Sequence, residues 1–155
     1  FFRGQGHIHP EGMKEEVMRV VKGLTALSAL FFAGSVFAAS PNAQMNAMLD
    51  GLKKEAGVQS FSAEEGKKLL NAKRVHSQKK EERSCTTCHT SNPAASGKTP
   101  VGKVIEPMSQ AVNKERFTDP KMVDKWFKRN CEWVLERECT PKEKGDFITY
   151  MTTLK

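Results

Sequence analysis

No stretch of this chain is rich enough in β-branched residues to supply a βαβ unit, and there is no internal repeat or low-complexity segment. A repeat architecture is therefore excluded, and a redox C-x-x-C of thioredoxin type, which stays an alternative reading, lacks its usual βαβ context. Histidine is scarce: two of the four, His7 and His9, fall in a leading stretch that does not read as native protein, which leaves His76 and His89. The one long apolar run, Leu24 to Phe37, is too short and too lightly flanked for a stable membrane span. Its context explains it. From Met18 the sequence reads MRVVKGLTALSALFFAGSVFAAS, with Arg19 and Lys22 ahead of the apolar run and small residues at Val36 and Ala38. This is the pattern of an export signal cleaved after Ala38. Residues 1–17 begin with Phe1, and Lys14-Glu15-Glu16-Val17 resembles a translated ribosome-binding site, so they are set aside. The expected organisation is residues 1–17 outside the native protein, 18–38 a signal peptide and 39–155 one small domain. That length suffices for one modest core.

What is present is concentrated in five residues. Cys85, Thr86, Thr87, Cys88 and His89 spell C-x-x-C-H, the attachment signature of haem c. Two thiols add across the porphyrin vinyl groups, and the adjacent imidazole becomes the proximal iron ligand. The alternative is a closed zinc site built from Cys85, Cys88, Cys131 and Cys139. An exported, bacterial, periplasmic chain favours haem.

The chain carries a formal net charge of +7. Neither nucleic acid nor anionic lipid fits a periplasmic haem carrier. The pairs Lys53-Lys54, Lys67-Lys68 and Lys79-Lys80, with Arg83 beside the haem motif, read instead as a surface that steers an acidic redox partner. A solvated face that only maintains solubility is the alternative.

The punctuation along the chain is helical. Met45, Met48, Leu49 and Leu52 form one apolar face ending near Gly57. Ser62 and Glu65 form a capping box before a helix with Leu69 and Leu70. Asn92 to Pro107 reads as loop. Asp119 and Pro120 start a helix whose broad apolar face comprises Met122, Val123, Trp126, Phe127, Val134 and Leu135. Thr140, Pro141 and Glu143 start the last one, with Phe147, Ile148, Met151 and Leu154 as its stripe. The order predicts an all-α fold, a small class I cytochrome c-like domain wrapping one covalently bound haem. A backbone carbonyl of the proline-rich loop, at Pro93 or Pro100, is expected to fix the His89 tautomer.

For the distal ligand, methionine is the ordinary choice of an electron-transfer cytochrome. Met45, Met48, Met122 and Met151 lie on apolar helical faces and read as core. Met108 alone lies in a loop, but it follows His89 too closely for easy travel round the haem edge.

The blocks Arg116-Phe117-Thr118-Asp119, Lys125-Trp126-Phe127-Lys128-Arg129-Asn130-Cys131 and Arg137-Glu138-Cys139 resemble the oxygen-binding monohaem cytochromes c typified by sphaeroides haem protein. The likeness covers most of residues 58–155. It implies that Asn130 is the distal ligand, with Met108 the alternative, and that Cys131 and Cys139 form a disulfide. Two cysteines left over in an oxidising compartment agree with that pairing, and closing so short a loop is worth roughly 2–3 kcal/mol. A reducible, regulatory disulfide is the other reading. An amide oxygen is a hard, neutral donor suited to ferric iron and poor for ferrous. Reduction is therefore expected to free a site for dioxygen, nitric oxide or carbon monoxide, towards which the amide nitrogen can donate a hydrogen bond. The resemblance further implies a di-haem cytochrome c partner linked to a membrane b-type cytochrome, with weak oxidase or nitric-oxide-handling activity as an open question. The competing function is a plain electron shuttle with His89 and Met108 as axial ligands.

Overall fold

Helix α1 spans Pro41–Ala56 and buries Met45 and Leu52, with Met48 and Leu49 at the margin of the same cluster. It stops where Gly57 turns left-handed at φ +67°. The computed structural model describes residues 41–155, so the expected signal segment and everything before it lie outside the described residues.

Helix α2, Ala63–Asn71, begins as the sequence indicates, with the Ser62 hydroxyl accepting from Glu65 N–H at 3.2 Å. The other arm of the expected capping box is replaced. Ser62 N–H donates not to Glu65 but to Asp146 Oδ1, at 2.8 Å. Asp146 is buried on the last helix and is also paired with Lys142 at 2.6 Å. A local cap is thus exchanged for a tertiary one. Helix α4 covers Pro120–Leu135, and Asp119 accepts from the N–H groups of Lys121 and Met122. Helix α5 covers Pro141–Thr153 and has the full capping box of Thr140 and Glu143. Between α2 and α4 lie the single turn α3, Thr86–His89, and two antiparallel ladders absent from the sequence reading. These are β1 Arg74–Val75 with β2 Glu82–Arg83, and β3 Gly97–Lys98 with β4 Val104–Ile105. Strands of two residues leave no readable alternation, which explains why the pattern did not reveal them.

α5 crosses both α1 and α2. Two glycines permit the α2–α5 crossing. A methyl on Gly66 would stand 2.1 Å from the Asp146 carbonyl oxygen, and one on Gly145 would stand 2.2 Å from the Phe61 ring. The first obstacle is backbone and the second the tip of a side chain. Gly66→Ala is accordingly expected to cost about 3 kcal/mol in a urea melt, and Gly145→Ala about 1 kcal/mol. Equal losses would contradict this account of the crossing.

The core has two parts. Met45, Leu52, Val123 and Ile148 form one, and Leu70, Met108, Phe147 and Met151 the other. Phe117 and Phe127 pack against both, and Phe127 meets Phe147 edge-on with centroids 5.5 Å apart. Two residues depart from the expected apolar face of α4: Met122 is 43% exposed and Trp126 45% exposed. Both lie on the flank of the helix away from Val123 and Phe127.

Candidate functional site

The haem motif is built on one helical turn. His89 N–H donates to the Cys85 carbonyl at 3.0 Å, so Cys85, Cys88 and His89 project from adjacent positions of one turn. Ser84 anchors that turn. It is buried, its hydroxyl accepts from Thr86 N–H at 3.1 Å, and it reaches the Leu70 carbonyl of α2 at 3.4 Å. From the other side the loop closes directly on the motif. A methyl on Gly97 of β3 would lie 1.9 Å from the Cys88 carbonyl oxygen and 3.0 Å from His89 Cα, so only glycine allows this approach. The residue after the motif, Thr90, is held at φ +62° and ψ 166°. A non-glycine residue pays for that conformation, and here it turns the chain sharply away behind His89.

The three side chains are of the kinds that hold a covalent haem. Cys85 and Cys88 are free thiols. Burial pushes the Cys85 thiol up to about 11 and raises that of Cys88. Burial, and then the nearby Arg116 charge, lowers the pKa of His89, which holds the imidazole neutral as a ligand must be. Its Nδ1 is buried without a hydrogen-bond partner. The expected carbonyl at Pro93 is already committed to the N–H groups of Met108 and Ser109, at 2.8 and 2.9 Å. Pro100 is exposed in the turn joining β3 to β4. Neither carbonyl serves His89, which corrects the sequence reading. The donor set nevertheless fits haem c: two unpaired thiols and a neutral imidazole on one turn.

Arg116 was not singled out by the sequence reading beyond its place in a block. Its Nε donates to the Pro107 carbonyl at 2.8 Å and its Nη2 to that of Glu106 at 2.6 Å. It thereby ties the loop at Glu106 and Pro107 to the corner where Phe117 adopts φ +64° and Asp119 starts α4.

On α4, Asn130 is half-buried, and its amide finds no hydrogen-bond partner among the described residues. By helical spacing it continues the strip of Met122 and Trp126. Phe127, one turn before it, packs on the same cluster as Cys85. Cys131 and Cys139 are buried at disulfide distance, with Cα atoms 5.5 Å apart. Met108, the alternative ligand, is 8% exposed and sits in the cluster of Leu70, Phe147 and Met151.

The four cysteines fall into two separate pairs, and no cluster of three or more His, Cys, Asp or Glu suited to a metal occurs among the described residues. His76 is occupied in a turn, where its Nδ1 accepts from Gln78 and Lys79 N–H, both at 3.2 Å. Arg83 is only 4% exposed and cannot belong to a steering surface, which is a second correction. Lys54, Lys67, Lys79 and Lys80 are exposed. Lys53 is paired with Asp50, and Lys68 with Glu64 and Glu65. No helix among the described residues is long and apolar enough to cross a membrane.

Arg137 and Glu143 form a bidentate pair beside the Cys131–Cys139 loop, at 2.8 and 2.7 Å. The Arg137 hydrogen bonds, opposed by partial burial and aided by Thr140 N–H, lower Glu143 from its ordinary 4.5 to about 2. The folded-state value is depressed, so the stabilisation is present above the unfolded value and is lost as pH falls towards 2. Glu143→Gln is expected to flatten the fall in Tm between pH 5 and pH 2, and an unchanged slope would contradict the pairing.

Residues 56–151 match the family model described as domain of unknown function DUF1924. The chain is 44% identical over 68 residues to cytochrome c-type protein SHP of Cereibacter sphaeroides, covering 44% of this chain and 53% of that protein. It is 45% identical over 73 residues to cytochrome c'' of Methylophilus methylotrophus, covering 46% of this chain and 51% of that protein. These alignments span about half the length of each curated relative. Among solved structures, oxidised SHP, described as an oxygen-binding cytochrome c, superposes with a TM-score of 0.65 at 34% identity over 71% of this chain and 96% of its own. Oxidised cytochrome c'' gives 0.65 at 33% identity over 72% and 95%. The solution structure of cytochrome c'', described in terms of haem-ligand detachment, gives 0.60 at 33% over 74% and 93%. With C-x-x-C-H on the single turn α3, the chain belongs to the DUF1924 family and to the SHP-like monohaem cytochromes c, whose cofactor is one covalently bound haem c.

Proposed function

We propose that this protein is an exported, periplasmic gas-binding cytochrome in which His89 is the proximal ligand and Asn130 a distal ligand released on reduction. The observation that carries this reading is the place of Asn130 on α4, a half-buried residue four positions after the exposed Trp126 whose amide reaches solvent and is bonded to no described residue. Phe127 of that helix shares a cluster with Cys85 of the attachment turn.

Each residue then has a task. The Cys85 and Cys88 thiols add to the two vinyl groups, the sulfur bonding one carbon and the proton going to the other. His89, neutral through burial, offers a ring nitrogen lone pair, while Arg116 and Gly97 close the loop over it. When bound, haem c supplies the iron whose oxidation state changes and at which a diatomic gas binds. With haem c bound, the Asn130 carbonyl oxygen would suit the harder ferric iron and would be a poor donor to the ferrous one. Its amide nitrogen would then be free to donate a hydrogen bond to a dioxygen, nitric oxide or carbon monoxide molecule. A disulfide between Cys131 and Cys139 holds the next residue to the segment that leads into α5. Reduction comes from a partner redox protein, with a di-haem cytochrome c and a membrane b-type cytochrome as the candidates that the likeness suggests. The exposed Lys54, Lys67, Lys79 and Lys80 support an acidic surface on that partner.

The burial of the Met108 thioether in the second cluster weighs against the electron-shuttle alternative. An absorption spectrum of the dithionite-reduced protein under argon tests the choice. High-spin, five-coordinate ferrous bands, converted by carbon monoxide, are expected. Sharp low-spin bands unaffected by carbon monoxide would overturn the gas-binding reading.

A further inference from the structure

Arg83 is a buried charge two residues before Cys85, and its environment is unusually specific. Its Nε donates to Glu81 Oε1 at 2.8 Å, its Nη2 contacts the same oxygen, and its Nη1 donates to the Trp133 carbonyl at 3.0 Å. The guanidinium also lies 4.9 Å from the centroid of the Trp133 ring. Trp133 is in the last turn of α4, which ends at Leu135. Its carbonyl is therefore one of the helix-terminal acceptors without an intrahelical donor, and a cation is favoured there. The same end of α4 is gripped a second time. Glu136, left-handed at φ +56°, accepts from Ser77 N–H at 2.8 Å and from the Ser77 hydroxyl. Ser77 belongs to the turn joining β1 to β2.

The β1–β2 hairpin thus runs from the end of α4 straight into the attachment turn. Asn130 stands one helical turn before Trp133, and Cys85 two residues after Arg83. Resting on the ligand role proposed above for Asn130, we propose that Arg83 is the positioning residue of a latch. It fixes the helix that carries the distal amide relative to the segment that anchors the haem. With α4 held, release on reduction needs only a rotation of the Asn130 side chain, and the amide is poised to return on oxidation. Without the latch the helix end drifts and the weak amide bond is lost first. Glutamine cannot replace a fork that engages a carboxylate, a carbonyl and a ring at once.

The test compares covalent holoproteins in the ferric state by imidazole titration, since imidazole must displace the amide and its apparent affinity reports how well Asn130 is seated. Asn130→Val sets the upper limit. Arg83→Gln is expected to raise imidazole affinity roughly tenfold towards that limit, as befits the loss of charge-assisted hydrogen bonds. Ferric high-spin absorption should rise in parallel. Arg83→Lys should fall between Arg83→Gln and the unsubstituted protein. Gly66→Ala, which destabilises the fold elsewhere, should leave imidazole affinity unchanged and so separates positioning from stability. If Arg83→Gln yields no holoprotein, Glu81→Gln loosens the guanidinium while leaving it in place: a rise of about threefold supports the latch, and an unchanged affinity overturns it. If Asn130→Val raises the affinity but Arg83→Gln does not, the latch is wrong and the ligand role stands. If Asn130→Val itself is silent, the ligand role fails and the latch with it.

Discussion

Replacing His89 with Ala is expected to abolish stable holoprotein, the largest effect of any single substitution in this chain. Three features converge on that side chain. The single turn α3 aims it from the same backbone that presents Cys85 and Cys88. Gly97 packs against its Cα, and burial holds the ring neutral. Without the imidazole the thiols have nothing to seat the metal while they react, and burial keeps both of them in the less nucleophilic, protonated form. Intact mass and absorption of the protein produced with haem-attachment machinery give the readout. A mass increase of one haem with an unaltered spectrum would remove His89 from the site. The apoprotein is also expected to be less stable than the holoprotein, since a ligand bound only by the native state stabilises it.

The helical frame was legible because its signals are local. Asp119 with Pro120, Thr140 with Glu143, and Gly57 each act within one turn, and the structure uses each as the sequence suggests. The capping box at Ser62 failed for the complementary reason. Asp146, far along the chain, reaches the Ser62 N–H instead of Glu65, and no short-range pattern records that approach. The attachment turn was legible at single-residue level, because C-x-x-C-H carries its chemistry in consecutive positions. Its surroundings were not. That Pro93 spends its carbonyl on Met108 and Ser109 depends on how a long loop returns, and so does the closing of Arg116 over Glu106 and Pro107. Arg83 illustrates the limit best. In sequence it is one more basic residue near a lysine pair, and only the folded chain brings Trp133 beneath it and turns an apparent surface charge into a buried one. Met122 and Trp126 fit a broad apolar face by periodicity, yet 43% and 45% exposure shows that the face divides. One flank serves the protein core, the other is exposed, and Asn130 lies at their border, seven residues after Val123 and four after Trp126.

That division makes Asn130→Val the most discriminating substitution at the proposed distal face. Valine is nearly the same size, so the strip beside Trp126 keeps its volume, and the half-buried position loses only an amide without a partner among the described residues. Little stability is therefore at stake, and the effects should be confined to the site. The ferric spectrum is expected to change from six-coordinate with an amide donor to five-coordinate or water-bound. The ferrous spectrum should hardly change, because the amide has already withdrawn in that state. Dioxygen dissociation, followed by stopped-flow after mixing the oxygenated protein with carbon monoxide, should accelerate about fivefold, since a hydrogen bond of this kind is worth about 1 kcal/mol. Met108→Ala provides the counter-experiment. It opens a cavity beside Leu70, Phe147 and Met151 and should cost about 3 kcal/mol of stability while leaving both spectra in place. The reverse pattern, with Met108→Ala turning low-spin ferrous haem high-spin and Asn130→Val silent, would require the Met108 thioether to leave the core on haem binding. The protein would then be an electron carrier whose reduced iron holds both axial ligands and has no position for a gas.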